Sequence, residues 1–107
     1  MPYYMIQLGY RPDAWDALID HPVNRLDVVK PAIESLGGRI VDGWLSFGEY
    51  DLVAIAEMPD NVSAAAFSLA VEAGGAVEQY KTTPLLTMDE AQQAMKKAQG
   101  TGYKPPQ

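Results

Sequence analysis

A chain of 107 residues, 48% hydrophobic and 21% charged, has room for one domain and no second core, and its composition excludes disorder along its whole length. Its formal net charge of -6, with no basic run to oppose it, disfavours nucleic acid and anionic membranes as partners. The count of zero cysteines excludes disulfides, thiolate zinc sites, iron–sulfur clusters and a cysteine nucleophile, and fits a reducing compartment.

No apolar stretch approaches the ~20 residues that span a bilayer, and Met1-Pro2-Tyr3-Tyr4-Met5 has no basic region before an apolar run, so it does not read as a signal peptide. The cytoplasm is the expected location.

In chain order, Tyr3 to Tyr10 reads as a strand rich in aromatic and branched residues, stopped by Arg11-Pro12. A short helical turn over Pro12 to Ile19 follows, and His21-Pro22 breaks it. Val23 to Leu36 is a longer helix, with Leu26, Val29, Ile33 and Leu36 on one face and Gly37-Gly38 as its stop. Pro31 cannot donate to the Asp27 carbonyl, so a kink is predicted there. Arg39 to Phe47 and Tyr50 to Met58 are strands, joined by a two-residue type II′ turn at Gly48-Glu49. Pro59-Asp60-Asn61 starts an alanine-rich helix that ends at Gly74-Gly75. Ala76 to Leu86 is a fourth strand limited by Pro84, Asp89 to Gln99 a polar helix, and residues 100–107 a C-terminal tail. Residues 1–99 thus form a single domain.

This order predicts an α+β fold, the ferredoxin-like βαββαβ sandwich: a four-stranded antiparallel sheet, both main helices on one face, and an added C-terminal helix. The other sheet face is left bare. Counting outward from the predicted turn puts Val41, Gly43, Leu45 and Phe47 beside Tyr50, Leu52, Ala54 and Ala56 on the helix face. The open face then carries Ile40, Asp42, Trp44 and Ser46 beside Asp51, Val53, Ile55 and Glu57. Trp and branched apolar residues among carboxylates fit a sheet-to-sheet subunit interface or a ligand cleft, and the two are compatible.

Gly48-Glu49-Tyr50-Asp51, with Glu34-Ser35-Leu36-Gly37-Gly38 before it and Tyr50-Asp51-Leu52-Val53-Ala54-Ile55 after it, resembles the GYD domain family of small bacterial proteins from about Pro2 to Leu86. The resemblance implies a dimeric α/β barrel type assembly, in which the bare sheet face packs against a partner's sheet. It carries no established reaction. Cofactor-independent monooxygenases among related barrels supply the rival reading, an oxidoreductase with its substrate between helices and sheet or at the subunit seam. The leading reading is a homodimer or higher oligomer, assembled through the open sheet face, with a small ligand bound there. No metal site and no cofactor are expected.

Trp44, Asp42, Asp51, Val53 and Ile55 are the candidate ligand or interface residues. Trp44 can stack on a planar ligand or anchor an interface. Asp51 can serve as general base or ligand acceptor, or can bond turn amides or Ser46 and brace the hairpin. His21, the one histidine, is the other catalytic candidate; the plainer reading is an exposed loop side chain. Asp42, Asp51 and Glu57 read as rim charges rather than a cation site. Arg25 and Lys30 read as solvated helix charges, with anion binding as the alternative.

Overall fold

The computed structural model describes residues 1–107. Its elements are β1 (Tyr3–Tyr10), α1 (Pro12–Asp20), α2 (Arg25–Ser35), β2 (Arg39–Leu45), β3 (Leu52–Glu57), α3 (Asn61–Ala73), β4 (Val77–Leu85) and α4 (Met88–Gln99). The strands form one antiparallel sheet in the order β2-β3-β1-β4. This is the ferredoxin-like arrangement: each half of the chain sends a helix across one face, and β1 and β3 lie side by side at the centre.

Alternation along the central strands separates the two faces. Tyr4, Ile6, Leu8 and Tyr10 of β1 and Leu52, Ala54 and Ala56 of β3 are buried beneath the helices. Ile33 of α2 and Ala64 and Phe67 of α3 close over Tyr4, Ile6, Ala56 and Met58 to make the main core. A smaller cluster of Leu8, Tyr10 and Leu52 lies under Trp15 and Leu18 of α1.

Caps hold the helices in place. Asn24 accepts from the Leu26 N–H at the start of α2. Asp60 accepts from the Ser63 N–H at the start of α3, which holds its carboxyl below the ordinary aspartate range. Between α2 and β2, Gly37 has φ +83°, and a Cβ on Gly38 would lie 2.4 Å from the Glu57 carbonyl oxygen. The Gly-Gly pair is therefore set by a left-handed turn followed by a close backbone approach.

Four details differ from the sequence reading. First, the type II′ turn does not form. The strands end at Leu45 and begin again at Leu52, residues 46–51 form a longer loop, and Phe47 is 96% exposed instead of facing the helices. Across this loop the Ser46 N–H donates to the Asp51 carbonyl, while the Asp51 N–H donates to Leu8 of β1. Second, a bulge lies between Ile40 and Asp42. Ile40 faces the helices and packs on the main core, and Val41 is exposed. One extra residue exchanges the faces on either side of it. Third, α2 begins at Arg25, not Val23, and runs through Pro31 to Ser35. The proline falls on the exposed side, where water can serve the Asp27 carbonyl.

The fourth concerns α4. A capping box of Thr87 and Glu90 starts it, yet it buries no residue and has no substantial contact with the other elements. Met88, Ala91, Met95 and Ala98 recur at coiled-coil spacing, with Met88 and Met95 exposed. The helix is thus amphipathic rather than simply polar. Its projection raises the radius of gyration to 17.0 Å, where a compact domain of this length has about 13 Å.

Candidate functional site

The loop after β2 places Asp51 at one end of the sheet. Oδ2 of Asp51 accepts from the backbone N–H of Tyr10 at 2.8 Å and from the indole Nε1 of Trp15 at 3.2 Å. The Tyr10 and Trp15 rings meet edge to face, 5.4 Å apart. One carboxylate oxygen therefore ties the β2–β3 loop to the end of β1 and to α1. Trp15 in turn forms a wall of an apolar cleft.

That cleft, about 410 Å³, lies where α1, the turn after it and the first turn of α2 meet β2. Its lining is mostly apolar: Trp15, Leu18, Ile19, Val23, Leu26, Leu45 and Leu52, with Trp44 at the β2 side. Gly43 lets Leu26 approach the sheet, since a Cβ there would lie 2.7 Å from the leucine. Arg25 supplies the one charged side chain of the lining. Its Nε is buried and has no hydrogen-bond partner. A second hollow, about 370 Å³, lies between α3 and β4. The Tyr80 hydroxyl and the Thr82 Oγ1 are buried there without partners, and burial pushes the Tyr80 phenol up.

The face away from the helices carries three strand-to-strand rows. Register places Arg39, Glu57, Tyr3 and Leu85 across one end. Asp42, Ile55, Met5 and Thr83 follow, then Trp44, Val53, Gln7 and Lys81. Met5, Val53 and Ile55 are half-buried by their own neighbours, and Trp44 is 56% exposed.

At the end row Arg39 pairs with Glu57 at 2.7 Å. The guanidinium, and after it the Tyr3 hydroxyl, hold the Glu57 carboxyl below the ordinary glutamate range. A folded-state pKa that is depressed contributes stability above the unfolded value and loses it as pH falls through the folded one. Glu57→Gln is therefore expected to lower stability slightly near neutrality, where the carboxylate contributes, and to flatten the acid limb of the profile below about pH 4.3, so that the two proteins converge at low pH. Urea midpoints across an acid pH series test this; a limb as steep as that of the parent chain would contradict it.

The sequence matches the family model of the GYD domain over residues 4–95. The chain belongs to the GYD domain family. Among solved structures, the one titled "crystal structure of FFRP-DM1" is similar at 13% identity and a TM-score of 0.51, over 80% of this chain and 100% of that one. At that identity the likeness concerns the fold alone. A comparison with curated proteins finds no match.

In this GYD domain the residues singled out from sequence do not converge on one centre. Asp42, Trp44, Val53 and Ile55 share the open face, Asp51 turns to Tyr10 and Trp15, and His21 is an exposed residue at the end of α1. Asp42 accepts from the Gly43 N–H, so it, Asp51 and Glu57 are engaged separately. No three acidic or histidine side chains gather as a metal site. Trp44 alone of the candidate set borders the main cleft. Sequence reasoning missed Trp15 and treated Arg25 as a solvated charge. The available signal was the apolar company of both, Trp15 and Leu18 on α1 and Leu26 beside Arg25. No helix is long and apolar enough to cross a membrane.

Proposed function

We propose that the chain is an assembly and binding module: two copies join with their open sheet faces together, and the assembled domain holds a small molecule. Met5, Val53 and Ile55, framed by Tyr3, Trp44 and Leu85, form an apolar field that no element of the chain covers, and this observation carries the reading. Surface area supports it. A compact monomer of this mass exposes about 5,900 Å², and this chain exposes 7504 Å². The projecting α4 contributes to the excess, and only 12 of the 107 residues are buried, so the isolated subunit has a thin core to which a second sheet would add.

Native mass spectrometry of the untagged chain tests the reading. The expected species is two chains of 11.7 kDa, with any retained ligand seen as added mass that denaturation removes. A monomer at micromolar concentration would contradict the assembly.

A further inference from the structure

We infer that the cleft between α1, α2 and β2 binds a small apolar monocarboxylate, with Arg25 receiving its carboxylate. This rests on the binding half of the proposal above and not on the dimer, since every group concerned belongs to one subunit.

Arg25 is an unpaired charge. The chain has two ion pairs, Arg11–Asp13 and Arg39–Glu57, and Arg25 belongs to neither. Its Nε is buried without an acceptor, a costly condition for a charged donor. The polar groups nearby are already committed. The Asn24 side chain accepts from the Leu26 N–H at 3.0 Å, and Asp51 holds Tyr10 and Trp15. No acceptor of the chain reaches the Arg25 Nε, so a ligand or water has to supply one.

The surroundings limit what can bring it. The walls beside Arg25 are Trp15, Leu18, Leu26, Trp44 and Leu45, which suit an aromatic or aliphatic body. The volume of about 410 Å³ lies within the range of small-molecule sites, which run from about 300 to 1,000 Å³. One guanidinium matches one carboxylate, and it can do so through two parallel hydrogen bonds. A chain of net charge -6 disfavours polyanions such as phosphate esters.

The two tryptophans of the chain both line this cleft, so intrinsic fluorescence reports occupancy without a label. The full chain is titrated at neutral pH with 3-phenylpropionate and, separately, with 3-phenylpropionamide, its neutral counterpart of nearly the same shape. The acid is expected to shift the emission and to bind roughly tenfold tighter than the amide or better. Arg25→Gln is expected to remove that preference while the circular dichroism spectrum is unchanged. Arg25→Lys is expected to keep part of it, because a point charge lacks the planar fork. Equal binding of acid and amide overturns the carboxylate assignment and leaves a binding module in place. No response to either at millimolar concentration overturns the site. A preference that survives Arg25→Gln overturns the role of Arg25. If Arg25→Gln does not fold, Arg25→Lys and the acid–amide comparison on the parent chain decide. The dimer mass is measured separately, so failure of the assembly is not confused with failure of the cleft.

Discussion

Replacement of Asp51 by alanine is expected to cost about 3 kcal/mol of folding stability, more than any exposed substitution in the domain. The reason is the number of donors that depend on one oxygen. Oδ2 accepts from the Tyr10 N–H and from the Trp15 indole. Tyr10 is buried, so its N–H has no ready access to water once the carboxylate is gone. Each stranded donor costs about 1–3 kcal/mol. Asp51→Asn is expected to be milder, near 1 kcal/mol, because an amide oxygen can occupy the same position and accept both bonds without the charge. Urea unfolding followed by circular dichroism, at fixed protein concentration, measures both variants. The midpoint should fall with an unchanged slope. If Asp51→Ala unfolds at the midpoint of the parent chain, the two bonds carry no stability, and the signature aspartate would have to be explained by chemistry instead.

That role was only partly visible in the sequence. Near-neighbour pattern was enough for the sheet: the alternation of β1 and β3 separates Tyr4, Ile6, Ala54 and Ala56 from Tyr3, Met5, Val53 and Ile55, and the element order dictates the topology. Asp51 could be assigned a bracing function within its hairpin, but its actual partners lie 36 and 41 residues away. Pairing register was lost where counting assumed an unbroken ladder. The extra residue at Val41 put Ile40 on the wrong face, and the assumed tight turn drew Phe47 into a strand that ends at Leu45. The cleft was illegible for a similar reason. Arg25 looks like any helix charge until α1 and β2 close around it. For α4, charge density hid the spacing of Met88, Ala91, Met95 and Ala98.

A lysine at Ile55 is expected to convert the assembled form to a monomer without unfolding it. Ile55 lies on β3 between Met5 of β1 and Asp42 of β2, in the middle row of the open face. In the free subunit this face is open to water, so a lysine there can extend its ammonium into solvent and should cost little folding stability. Between two sheets about 10 Å apart, the same ammonium would be held in an apolar layer, once from each copy. Desolvating that charge costs several kcal/mol, which Asp42 beside it returns only in part, and each 1.4 kcal/mol is a tenfold loss of affinity, so a weakening of about a hundredfold is expected. Sedimentation velocity across a dilution series reads this directly. Met95→Lys on α4 serves as the comparison. That side chain is exposed on a helix that projects from the body, and under sheet-to-sheet assembly its replacement should leave the mass unchanged. If Met95→Lys dissociates the protein and Ile55→Lys does not, the chains are joined through the methionine stripe of α4. The open sheet face would then have to be covered by something other than a second copy.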